Sequence, residues 1–270
     1  MKAGRAFILK IVVIILIAGA ALSVWDRGNG FFKLGTAGMD PYTFFGELKE
    51  YSTGEAQIPS GHIKQIDVIW AWGNIEISEY EGDYIVVDEA YKEDLSDIDR
   101  IKFLSKNGKL IIRYNGNTSE NNLKNLNNKT LYLKIPQGIK EDINLIKIMT
   151  DEAYISVASD HVENLVVSSK KGNVNISGDI EDIKIQEDSG HINIEMDSRP
   201  DDIEIRTNTG NTTIQIPENN GFKVDYKIGE GRFLCDFPLI SRSHYGIYKK
   251  VESKFEIRSA KGNLSIKKTA

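Results

Sequence analysis

The stretch Leu165-Val166-Val167-Ser168-Ser169-Lys170-Lys171-Gly172-Asn173-Val174-Asn175-Ile176 decides the fold, because the chain writes it again a few residues later as Ile183-Lys184-Ile185-Gln186-Glu187-Asp188-Ser189-Gly190-His191-Ile192-Asn193-Ile194. Each copy holds two alternating apolar residues, a spacer ending in glycine, and two more alternating apolar residues. The same twelve-residue pattern begins at 66, 101, 146, 165, 183, 203, 224 and 255. Ala153 is the one replacement in the glycine column, and Thr212 is the polar residue in the apolar columns.

A period of two means strands with one buried face. The glycine marks a corner that needs a positive φ or a close backbone approach. From 146 to 224 the copies start 19, 18, 20 and 21 residues apart, so each unit holds two short strands and two turns. A near-constant period of this length is the mark of a stacked array whose units cannot fold singly. The reading is an all-β chain, a β-solenoid-like stack of two-strand repeats. An antiparallel β meander or sandwich is the alternative: with Lys171-Gly172 as a two-residue hairpin turn, Val167 and Ile176 would still share a face. The wider spacing of the first copies leaves room for extra strands at Tyr84–Asp88 and Thr130–Ile135, and Asn115–Asn128 reads as a polar surface loop.

Ahead of the repeats, residues 6–25 are nearly all apolar, with Lys10 the single charge. Twenty helical residues span about 30 Å, the thickness of a bilayer's hydrocarbon core. Lys2, Arg5 and Lys10 lie on the N-terminal side, and Asp26 and Arg27 cancel on the other. This charge bias places the N-terminus in the cytoplasm and the rest of the chain outside. Residues 1–25 are therefore read as an N-terminal transmembrane anchor. A signal peptide is the alternative, cleaved and leaving a secreted chain, since Ala18-Gly19-Ala20 has the small-x-small form of a cleavage site. Residues 26–56 read as a linker, broken by Gly28, Gly30, Gly35 and Gly38, with a short helix starting at Asp40-Pro41; residues 57–270 are the β-repeat domain.

The composition excludes several classes. With 40% hydrophobic and 27% charged residues, the chain is neither disordered nor polytopic. Beyond residue 25 there remain 31 basic and 39 acidic residues, a net of −8 that opposes nucleic acid and anionic lipid headgroups.

Catalytic and metal signatures are sparse. His62, His161, His191 and His244 have no partner at metal-ligand spacing, and no cofactor is implied. Cys235 falls in an apolar column as a core residue. The clusters Asp179/Glu181/Asp182 and Asp197/Asp201/Asp202 have oxygen ligands suited to Ca²⁺ but read as solvated turns. The 237–251 gap is different. Phe237, Arg242, His244, Tyr245, Tyr248 and Lys249 make an aromatic and basic segment in a net-negative domain, a candidate binding surface for a partner or glycan, or else an extra hairpin covering the end of the stack.

The layout resembles the bacterial putative-adhesin, or toast-rack, family. The resemblance is carried by Ile66-Asp67-Val68-Ile69-Trp70-Ala71-Trp72-Gly73-Asn74-Ile75-Glu76-Ile77, by Tyr84-Ile85-Val86-Val87, and by Gly172-Asn173-Val174-Asn175-Ile176-Ser177 and Gly190-His191-Ile192-Asn193-Ile194, and it covers about residues 55–268. It implies a membrane-tethered extracytoplasmic protein of the cell envelope, linked in some members to envelope-stress systems, and it carries over no catalytic residue. The functional expectation is a non-enzymatic interaction or scaffold module with envelope proteins or wall glycan as partners. The alternatives are an adhesin or wall-glycan binder and a carbohydrate-active β-helix enzyme.

Overall fold

The structure, a computed structural model, describes residues 50–91, 100–114, 129–139 and 143–269. The membrane segment, the Asp40-Pro41 helix and the Asn115–Asn128 loop lie outside the described residues. Among the described residues no helix is long and apolar enough to cross a membrane.

Among the described residues, alternation of buried and exposed positions builds eighteen strands that join in a single sheet. In chain order they are β1 (Ser52–Thr53), β2 (Ala56–Pro59), β3 (Gln65–Tyr80), β4 (Tyr84–Ala90), β5 (Lys102–Lys106), β6 (Lys109–Arg113), β7 (Thr130–Pro136), β8 (Leu145–Lys171) and β9 (Val174–Ser189). They continue as β10 (Ile192–Met196), β11 (Asp202–Thr209), β12 (Thr212–Ile216), β13 (Gly221–Glu230), β14 (Phe233–Cys235), β15 (Ile240–Arg242), β16 (Tyr245–Lys249), β17 (Lys254–Lys261) and β18 (Leu264–Lys268). Thus β1 and the start of β2 fall within the span 26–56 that the sequence suggests is linker.

The centre of the molecule is a parallel stack. Strands preceding each glycine form one ladder, in which Leu165 stacks on Ile183, Ile183 on Ile203 and Ile203 on Phe255. Strands following each glycine form a second ladder, in which Ile155 stacks on Val174, Val174 on Ile192, Ile192 on Thr212 and Thr212 on Leu264. The long strands β3, β8 and β9 turn the corner and belong to both ladders. In the central coils the apolar columns are buried almost completely, with Ile66, Ile75, Ile155, Ile205 and Ile257 all 0% exposed, whereas Tyr226, Phe233 and Cys235 of the copy beginning at 224 are only partly covered.

Glycine is required at the corner because consecutive coils approach too closely for a side chain. A Cβ built on Gly210 would lie 1.7 Å from the carbonyl oxygen of Gly190, and one on Gly262 would lie 1.8 Å from that of Gly210. Both residues also have φ of +138°, a region that L side chains rarely adopt. On the solvent side of this column the next residues form a second ladder of bonds. Asn173 Oδ1 accepts from the His191 amide at 2.9 Å, His191 Nδ1 from the Asn211 amide at 3.2 Å, Asn211 Oδ1 from the Asn263 amide at 2.9 Å, and Asn263 Oδ1 from the Arg232 amide at 3.0 Å. His191 thus substitutes for asparagine as an acceptor. This role explains why the post-glycine position so often carries asparagine.

Two departures from a uniform stack are present. The copy beginning at 101 is an antiparallel hairpin, not a coil corner: Lys106 faces Lys109 across the two-residue loop Asn107-Gly108, both with positive φ. An Asn-Gly pair with this geometry is the preferred two-residue hairpin turn. The second departure is the order of the coils. β17 and β18 insert between β11–β12 and β13–β14, so Phe255 has Ile203 on one side and Val224 on the other. The stretch from 237 to 251 is the excursion that carries the chain out and back.

Antiparallel strands close both ends, so the alternative sheet arrangement survives at the margins of the stack. At one end β4 lies between β2 and β7, and β5 between β1 and β6. At the other, β16 pairs with β13 and β15 with β16. Beneath this second cap an aromatic cluster fills the core. Phe222 stacks on Phe255 at 4.9 Å between ring centroids and meets Phe237 edge-on at 5.2 Å.

We expect Gly210→Ala to destabilise the full chain by more than about 3 kcal/mol in urea unfolding, because both clash and backbone strain result. Asn211→Ala removes one exposed acceptor, and we expect a loss of about 1 kcal/mol. Phe222→Ala is expected to cost about 3–5 kcal/mol and to raise amide exchange in β13 and β16 before the central coils.

Candidate functional site

The cap built from β15 and β16 holds the residues singled out by composition. Alternation along β16 sends Tyr248 inward, 5% exposed, beside Phe237, 3% exposed; both belong to the aromatic cluster and are unavailable to a ligand. The Tyr248 hydroxyl reaches through to Glu218, which also takes Lys249 Nζ at 2.6 Å and the ammonium of Lys268. Hydrogen bonds from Lys249, Lys268 and Tyr248 hold the Glu218 carboxyl down to about 2. Lys249 is therefore a fastener that ties β16 to the turn after β12 and to β18. What remains on the surface is Arg242, His244 and the half-buried Tyr245, with Lys223 Nζ 5.1 Å from the Tyr245 ring centroid. Ile240, 75% exposed, lies beside them on β15. The structure thus divides the six candidate residues into three that build the cap and three that it displays.

The acidic clusters meet at the opposite corner of the coils. Asp160, Glu163, Asp179, Glu181, Ser198, Arg199 and Asp201 line a groove of about 320 Å³. The Ser198 hydroxyl donates to Asp179, and the Arg199 guanidinium lies 4.0 Å from Asp201 and 3.9 Å from Glu252. Among the described residues no set of three histidine, cysteine or carboxylate side chains converges as a metal site.

Two polar groups stand out that spacing along the chain does not reveal. Glu79 Oε1 accepts from Ser159 Oγ at 2.7 Å and from the Asp160 amide at 2.6 Å, and lies 3.0 Å from His161 Nδ1. Burial would raise the Glu79 carboxyl, but bonds from Ser159, His161 and the Asp160 amide together outweigh it and hold the group below its usual range. Serine, histidine and glutamate meet here, yet serine and histidine side chains both bond the same carboxylate oxygen. In this arrangement the carboxylate orients the two side chains separately. The second is Lys129, 0% exposed, whose ammonium lies 2.6 Å from Glu89 and 4.8 Å from the Tyr114 ring centroid, with Trp70 at 5.2 Å. A lysine of this kind clamps β7 to β4 from within. Neither group carries a sequence signal, because the carboxylate of each lies at least 40 positions from the basic side chain it meets.

Cys235 is half-buried, and burial pushes its thiol up, away from the thiolate needed for nucleophilic chemistry.

A cell adhesion protein described as putative, from Clostridium sporogenes, has 17% identity over 81% of this chain and 100% of its own, with a TM-score of 0.52. A putative adhesin from Bacteroides fragilis has 14% identity over 81% of this chain and 97% of its own, with a TM-score of 0.35. One from Parabacteroides distasonis has 9% identity over 80% and 96%, with a TM-score of 0.36. No curated protein matches the chain. The first of these shows a shared fold. The model of the Toastrack DUF4097 family matches residues 52–267, nearly the whole of the strand stack, and the chain belongs to that family.

Proposed function

We propose that this protein is a membrane-anchored extracytoplasmic interaction module without enzymatic activity. Residues 6–25 hold it in the bilayer, and the β-stack presents a rigid surface outside the cell. The observation that carries the reading is the pairing of one apolar run, flanked by positive charge on its N-terminal side, with a stack in which polar side chains such as Asn173 and Glu218 hold neighbouring strands together. Glu218, Glu79 and Lys129 are each satisfied by structural partners, which leaves the displayed cap residues as the variable part.

Fractionation of cells expressing the full chain tests the anchor. We expect the intact polypeptide in the membrane fraction, with residues 52–269 open to protease added outside and closed to it within. Recovery of the full-length chain in the cytosol would reject the reading.

A second reading, a wall-glycan binder or adhesin, is favoured by the displayed Arg242, His244 and Tyr245 beside Ile240. The triple variant Arg242→Ala, His244→Ala, Tyr245→Ala is expected to lower retention on purified peptidoglycan at least tenfold while its melting temperature stays within about 2 °C, since surface substitutions cost little. Equal retention of variant and parent would remove the cap from this role.

A further inference from the structure

Inside the stack, the apolar columns give way to a polar one beside the glycine corner. Ser169, Glu187, Thr207 and Ser259 are adjacent in register on β8, β9, β11 and β17, and all are buried. Glu187 is 0% exposed. Its carboxylate tucks beneath the corner, where Oε1 lies 3.3 Å from the position a Cβ on Gly190 would take. The same oxygen accepts from the Ser189 amide at 3.3 Å, while the Ser169 hydroxyl beside it donates to the Lys171 carbonyl at 3.4 Å. The other oxygen, Oε2, is buried without a hydrogen-bond partner, as are the hydroxyls of Thr207 and Ser259 further along the column.

Among the described residues no cation faces this carboxylate. From the first ladder Ser169, Thr207 and Ser259 flank it. The inward positions of the second ladder around it, Val174, Ile192 and Thr212, carry no ionisable group. The charged group that acts on it is Asp188, next along its own strand and of the same sign. A carboxylate with one oxygen unsatisfied in such a place is costly, and a carboxylic acid is not, because its O–H can donate along the hydroxyl column.

We propose that Glu187 is a proton-binding site within the stack. It holds its proton while the coils are closed, and its ionisation loosens the contact between β9 and β11. Burial above all pushes this carboxyl up to about 7, from 4.5 for the free group. The sign follows from linkage: between these two values the unfolded chain releases the proton and the folded chain keeps it. Stability present below about pH 4.5 is therefore lost as pH rises through about 7. The lowered Glu79, Glu218 and Glu256 work in the opposite sense at more acidic pH, so the effect is read as a difference between variants.

The test compares melting temperatures of the full chain and its Glu187→Gln variant from pH 4.5 to 8.5. Glutamine preserves the shape and stays neutral. We expect the two to melt within about 2 °C of each other at pH 4.5, and the variant to melt about 5–10 °C higher by pH 8. A difference that does not change with pH would assign Glu187 a purely structural role and overturn the proposal. Should the variant fail to fold, carbon-13 carboxyl NMR of glutamate-labelled parent protein decides. One glutamate carboxyl titrating near neutrality supports the site, and complete titration of all glutamates by pH 6 rejects it.

Discussion

The close approach of backbone to backbone at the glycine corner is the constraint on which the rest of the structure depends. Gly172, Gly190, Gly210, Gly262 and Gly231 lie in line, and each would drive a Cβ into the carbonyl of the neighbouring coil. Removing that atom lets successive coils sit at the strand spacing of about 4.7–4.9 Å on both ladders at once. Everything else is in register because the corner is. The apolar columns interlock within, the asparagine acceptors bond neighbouring amides without, and charged pairs such as Lys184 with Glu204 at 2.7 Å cross between coils on the outer face.

The same regularity decides what could be read from the chain and what could not. The glycine and isoleucine columns specify corners and inward faces, since only a strand with one buried face repeats every second residue, and only a crowded or left-handed corner demands a bare Cα. The order of coils is a different matter. Val224, Phe255 and Ile203 are interchangeable as stacking partners, so no side chain announces that β17 lies between β11 and β13. The hairpin at Asn107-Gly108 was legible in principle, because that dipeptide favours a tight reversal where Lys171-Gly172 does not. The cap residues were legible as a group but not individually. Tyr245 and Tyr248 are three apart on one strand, and only the register with Asp225 and Phe222 decides which enters the core.

Polar groups in this protein act chiefly as connectors. Glu218 gathers Tyr248, Lys249 and Lys268 from two strands, Glu79 gathers Ser159 and His161 across a corner, and Glu89 neutralises the enclosed Lys129. For the enclosed Lys129 and Glu89, removing one partner leaves the other uncompensated, which costs more than the pair contributes. Glu187 differs from these three in lacking a counter-charge, and it occupies the space that the glycine column leaves free beneath the corner.

The interposed strands β17 and β18 have a consequence for assembly. A growing chain reaches β13 and β14 before the pair that must separate them from β11 and β12 has been made. Winding therefore cannot proceed turn by turn from the amino-terminal end to completion. The penultimate layer enters last, like a keystone, with one neighbour waiting on each side, and closure of that gap is a late, long-range and slow event. Until it happens two bare edges face one another, and a ribosome stalled before residue 254 would release a molecule with both of them open to pairing with other chains.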